Sequence, residues 1–164
     1  MTFVLGFVAG VATLALKAAL DFYFERRRER RAVRAAARLV GHELGSASIW
    51  LQTVAGAGRW MTPEGWAFDH DVWRENKTLL AMALTDARWL TMATGYREVQ
   101  LAESNMRTAV RDAGVGEPPL TPDMPQLIAS GITGIDRAAR VLDDLSSWPG
   151  REAKRRLREL RRAD

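Results

Sequence analysis

The chain has 164 residues, a net charge of +4 and no cysteine, with 21 Arg among its 24 basic residues. That length admits one compact domain, and the missing cysteine excludes a disulfide framework, a thiolate metal site, a cysteine nucleophile and a thiol redox switch. The charge is unevenly held: Glu25 to Arg38 carries +5, Arg151 to Asp164 carries +4, residues 1–24 are neutral, and residues 39–150 are left with −5.

Phe3 to Leu16, FVLGFVAGVATLAL, is free of charge, and the apolar character resumes after Lys17 in AALDFYF. Phe3 to Leu16 would rise about 21 Å as a helix, and continuing to Leu20 gives about 27 Å against a hydrocarbon thickness of about 30 Å. Lys17 then falls within a turn of the boundary, where its stem carries the ammonium to the headgroups, and Asp21 follows at i+4. Phe22, Tyr23 and Phe24 form an interfacial aromatic collar. The expectation is a single transmembrane helix over residues 1–24. A cleaved signal peptide would need a positive region ahead of the apolar run, and only Met1 and Thr2 precede it. Arg26, Arg27, Arg28, Arg30 and Arg31 come afterwards, and basic flanks stay cytoplasmic. The expected location is the inner (plasma) membrane, N-terminus outside and C-terminal domain cytosolic. Gly6 and Gly10 form a G-x-x-x-G pair, whose spacing lets two helix backbones approach closely, giving an expected homodimer through the membrane helix.

From Glu25 the helical pattern continues without a breaker to Gly56 and Gly58. Val33, Ala36, Val40, Leu44, Ala47, Leu51 and Val54 recur at steps of three and four, so one stripe faces partner helices. Residues 56–71 read as a loop, with Trp60 and Trp66 tucked back on the bundle. A short helix is expected over about 71–84, burying Val72, Trp73, Leu79, Leu80 and Ala83. Thr85 is the expected N-cap of a helix to about Ala113, with Trp89, Met92, Tyr96, Val99, Met106 and Val110 on its inner face and Gly114 ending it. The proline-rich stretch VGEPPLTPDMP predicts an extended, exposed linker. Thr121 and Pro122 should open a helix with Ile128, Ile132, Ile135, Leu142 and Leu145 inward and a kink near Gly131 and Gly134. Trp148-Pro149-Gly150 breaks it, and a short basic helix follows. The predicted fold is all-α: an N-terminal transmembrane anchor over 1–24, an antiparallel helical bundle over 25–148 and a basic C-terminal helix over 149–164.

No catalytic constellation stands out. His42-Glu43 and His70-Asp71 invite a metal or acid–base hypothesis, but no H-x-x-x-H or Glu-x-x-His spacing supports a metal site, and both histidines read as structural. No nucleophile elbow, Walker A motif or dinucleotide glycine fingerprint is present. No catalytic or metal-binding residue and no cofactor is therefore assigned. The Arg cluster at 26, 27, 28, 30 and 31 is expected to face anionic lipid headgroups. Nucleic acid is disfavoured as a partner because the middle of the domain is acidic.

The segments RRRERRAVRAAARLVGHEL, GRWMTPEGW, HDVWRENKTLLAMAL and LTDARWLTMATGYREV resemble those of a loose group of small, uncharacterised bacterial single-pass membrane proteins with a cytosolic helical domain. The resemblance covers residues 1 to about 100 and implies shared architecture only. The resulting expectation is a non-enzymatic, membrane-anchored interaction module with an unidentified protein partner. The alternative is a membrane-tethered, metal-dependent enzyme or regulator using His42 and His70.

Overall fold

The computed structural model describes the backbone of residues 2–61, 70–114 and 116–147, and their side chains from residue 13 onward. Four helices follow in order: α1 (Thr2–Ala57), α2 (Asp71–Ala83), α3 (Asp86–Ala113) and α4 (Met124–Ser147). The all-α helical bundle is thus the observed class. Among the described residues the only strand-like pairing is an isolated bridge between Arg59 and Pro119.

The transmembrane helix expected over residues 1–24 coincides with the first turns of α1. The side chains of residues 1–12 lie outside the described residues, and so does whatever Gly6 and Gly10 pack against. The basic helix expected over 149–164 lies outside them too. Among the described residues no helix is long and apolar enough to cross a membrane. Residues 13–24 alone rise about 18 Å, short of about 30 Å.

The expected stripes are the ones that pack. Ala36, Val40, Leu44, Ala47, Leu51 and Val54 of α1 are buried, together with Met92, Tyr96, Val99 and Met106 of α3 and Ile128, Ile135, Ala138 and Leu142 of α4. From α2 only Leu80 is fully buried, whereas Val72, Trp73 and Leu79 are half-buried and Ala83 is exposed. α4 lies along both α1 and α3, which touch each other far less. It runs antiparallel to both: Gly41 faces Leu142 and Ser48 reaches Asp136 on one side, while Gly95 faces Ala138 and Glu98 faces Gly131 on the other.

α4 is one continuous helix through Gly131 and Gly134. Their missing side chains serve packing. A Cβ on Gly134 would come within 3.3 Å of Glu98 Cγ. The approach is closest at Gly95, where a Cβ would meet Ala138 Cβ at 2.4 Å and Gly134 O at 2.9 Å. The start of α4 also differs from expectation. Thr121 and Pro122 form a turn whose Thr121 carbonyl accepts from Met124 N–H, and Pro125 takes the first helical turn, where a missing N–H has no cost. Thr85 holds the N-cap position of α3 with extended backbone, but its hydroxyl makes no capping bond.

The proline-rich linker is extended but not wholly exposed. Pro118 is buried, its carbonyl accepts from Trp60 N–H at 2.8 Å, and Leu120 N–H donates to Gly58 O at 3.0 Å. Gly58, at φ +66°, turns the chain out of α1 so that this pairing can form. Trp60 is thereby buried beside Trp50, ring centroids 6.2 Å apart, and Trp50 Nε1 donates to Met61 O.

Two glycine substitutions should act in opposite directions. Gly45 has nothing within 4 Å of an added Cβ, so Gly45→Ala should stabilise the bundle by about 0.5–1 kcal/mol through helix propensity. Gly95→Ala gains the same propensity but forces α3 off α4, and should destabilise by about 1–3 kcal/mol. Chemical denaturation followed by tryptophan fluorescence checks both signs.

Candidate functional site

The densest polar chemistry among the described residues lies where the start of α2 meets α1 and α3. His70 occupies the N-cap position of α2, but its side chain makes no capping bond. Only its carbonyl serves the helix, accepting from Arg74 N–H, while Arg74 pairs its guanidinium with Asp71 one turn back. The imidazole instead reaches across to α3. Nδ1 lies 2.6 Å from Tyr96 Oη and Nε2 lies 2.9 Å from Glu103 Oε2. Tyr96 and Glu103 are seven residues apart, two turns along one face of α3, so a single ring can bridge them.

Tyr96 carries the network onward to α1. Its hydroxyl donates to Glu43 Oε1 at 2.9 Å. A phenol has one proton to give, so with Tyr96 donating to Glu43 it accepts from His70 Nδ1–H. Nε2 faces Glu103 Oε2, so one ring joins the chain Glu43, Tyr96, His70, Glu103 across three helices. Arg107 adds a further cation, 3.6 Å from Glu103 Oε2 on the next turn.

Aromatic stacking fixes the same node. Trp73 of α2 lies nearly parallel to Tyr96 at 4.4 Å between centroids and to Trp89 at 5.7 Å, and His70 meets Tyr96 edge-on at 5.6 Å. Trp89 and Tyr96 are again two turns apart, so Trp73 spans both and pins α2 to α3 with few other contacts. Trp89 is accordingly half-buried rather than a full core residue.

Beside the node is a polar recess of about 280 Å³, lined by His70, Gln100, Glu103, Ser104, Arg107 and Thr108, with Arg111 at its end. Both ring nitrogens of His70 already face protein groups, so the imidazole presents no spare lone pair to a ligand. Among the described residues no group of three or more His, Asp or Glu side chains could hold a metal ion. His42 is exposed on α1 and takes no part in the hydrogen bonds of His70. The two histidines that motivated a metal-dependent alternative are therefore not brought together.

The other singled-out residues are placed as follows. Arg26, Arg27, Arg28, Arg30 and Arg31 are all exposed on α1, and the Arg26 guanidinium lies 4.6 Å over the Phe22 ring. Gly6 and Gly10 fall in the part of α1 where only the helical backbone is described. Sequence reasoning named Glu43 only beside His42, and it missed Glu103 and the bridging role of Tyr96. One signal for Glu103 was present: it occupies the buried stripe at the step between Val99 and Met106, and a carboxylate at such a position needs a partner.

Tyr96→Phe keeps the ring stack but deletes the hydroxyl that joins His70 to Glu43. Leaving those two groups without it should destabilise the bundle by about 1–3 kcal/mol, read by denaturant titration. His42→Ala, at an exposed position, should change stability by less than about 0.5 kcal/mol. No family model matches this chain, and neither does any curated protein or solved structure.

Proposed function

We propose that this protein is a membrane-anchored helical interaction module whose bundle sits at the cytosolic face of a bacterial membrane. The observation that carries the reading is the exposed stretch of α1 ahead of the bundle. Leu14, Leu16, Leu20, Phe22, Tyr23 and Phe24 are all exposed, Leu14 by 70%. At about 100° per residue these positions leave only the narrow side of Lys17 and Asp21 polar, and so broadly apolar a helix has its stable home in lipid or in a protein core. Among the described residues no bundle element covers it. The uncharged run from Phe3 to Leu16 continues the same helix backward, and Phe3 to Leu20 is about 27 Å long.

Charge and surface agree with that placement. The exposed cluster Arg26, Arg27, Arg28, Arg30 and Arg31 follows the apolar stretch directly, which is the arrangement that keeps a flank cytoplasmic. The end of the bundle from which α1 departs is also apolar. A groove of about 370 Å³ there is lined by Val33, Leu79, Met82, Ala83 and Leu145 beside Glu29, Arg30 and Arg34, with Met82 76% exposed. Apolar side chains rimmed by arginine suit contact with an anionic membrane surface. The hydrogen bonds of the polar node around His70 run between α1, α3 and the start of α2, which favours a structural module over an enzyme.

Two outcomes follow. A reporter fused after Asp164 should be active only in the cytosol, and periplasmic activity would reverse the orientation. A peptide covering residues 22–40 should bind vesicles containing anionic lipid with a gain of roughly 5 kcal/mol over neutral ones, since Glu25 and Glu29 offset part of its seven arginines. Raising salt toward about 0.5 M should remove most of that gain, and indifference to salt would reduce the cluster to an orientation signal.

A further inference from the structure

Three contacts run through the polar node. Glu43 Oε1 lies 2.9 Å from Tyr96 Oη, Tyr96 Oη lies 2.6 Å from His70 Nδ1, and His70 Nε2 lies 2.9 Å from Glu103 Oε2. Every atom in that chain carries a lone pair, so each contact is attractive only with a hydrogen between its two atoms. The side chains bring too few. A phenol supplies one hydrogen, a neutral imidazole supplies one, and an ionised carboxylate supplies none. Whichever tautomer the ring adopts, two hydrogens then serve three contacts, and one contact sets lone pair against lone pair. Tyr96 is 1% exposed and the Glu103 side chain 10%, so an opposed pair there is costly.

We propose that the node closes this deficit by holding one proton drawn from solvent, which makes it a pH-sensitive latch between α1, α3 and the start of α2. The proton belongs to the chain as a whole. On the ring or on either carboxylate, with the intervening bonds reversed to suit, it gives every contact its hydrogen. It has a route in, because the His70 side chain is 31% exposed and the polar recess opens onto His70 and Glu103. The other charged groups around the node, among the described residues, stand outside the three contacts. Arg107 approaches Glu103 Oε2 at 3.6 Å, Arg111 lies farther along the recess, and Asp71 is paired with Arg74. His42 is exposed beside Glu43, and Asp136 of α4 accepts from Ser48. The latch matters most for α2, in which Leu80 alone is fully buried. At the far end of α2, Leu79, Met82 and Ala83 wall the apolar groove, so loosening this helix opens that groove. None of this depends on the membrane placement proposed above.

The sign of the pH dependence follows. Above about pH 7 an unfolded chain has neutral histidine and ionised carboxylates, so the folded chain holds one proton more. Stability then falls as pH rises, by up to about tenfold in the folding constant per pH unit, until the node gives the proton up. Urea titrations of the full chain in a non-ionic detergent, followed by circular dichroism, read this directly. Between about pH 7 and pH 9 the wild-type folding constant should fall by about tenfold or more, with a ceiling of about a hundredfold. Glu43→Gln brings the missing hydrogen as a permanent amide N–H, so it should keep the wild-type constant of pH 7 and lose the slope. Tyr96→Phe removes two of the three contacts, and a neutral ring meets the one that remains. Its slope should vanish too, from a lower starting constant, and it decides the matter should the glutamine variant not fold. His42→Ala should keep the wild-type slope. A wild-type constant that is flat over this range would overturn the proposal, and so would the full slope persisting in Glu43→Gln or in Tyr96→Phe.

Discussion

The bundle depends on how α4 divides its apolar face between two helices that hardly touch each other. Ile128, Ile135, Ala138 and Leu142 lie buried in the seam between α1 and α3, and each of those helices is held mainly through α4. Dispersion at such a seam falls off steeply with separation, so the distance of approach matters as much as apolar content. Gly95, lying on Ala138 and the Gly134 carbonyl, sets that distance for α3, and Gly41 beside Leu142 does so less tightly for α1.

Against this apolar wedge, the polar ties add orientation. Ser48 Oγ donates to Asp136 Oδ1 at 2.8 Å, fixing the sliding register of α1 on α4. The Glu43, Tyr96, His70 and Glu103 chain is the direct bond between α1 and α3 that α4 does not mediate, and it recruits the start of α2 as well. Buried groups of this kind are costly when left unmet, so the bonds they make favour the arrangement of the three helices that brings them together. The Trp73 stack on Tyr96 and Trp89 does the same for α2, which has little buried area of its own.

α1 gives the molecule its polarity. It serves the bundle with one side of its C-terminal half, leaves an uncharged side exposed from Leu39 onward, and continues away from the bundle as an unbroken helix with arginine-rich and then apolar turns. Because the helix is continuous, whatever fixes its N-terminal end also fixes the direction in which the bundle faces. The apolar groove and exposed Met82 lie at the end from which it departs.

The amino-acid sequence by itself determined the class, the elements and most of the core. Apolar residues at steps of three and four leave little freedom about which stripe turns inward, so Val40, Leu44, Leu51, Tyr96, Val99, Ile135 and Leu142 were all legible before any coordinates. Gly114, at φ +64°, ends α3 for the reason its position suggested. Only the tertiary structure decided what depends on two segments meeting. Gly131 and Gly134 look like weak points within one helix, and only the presence of Glu98 opposite them turns them into packing positions. The proline-rich linker looks solvated until Trp60 and Gly58 bond to it. His70 reads only as a structural residue beside Asp71, and nothing local says that its ring crosses to Tyr96 and Glu103 or that His42 stays outside. Periodicity is a property of one helix, whereas a hydrogen-bonded node is a property of three, and the distances that make it arise only when all three have packed.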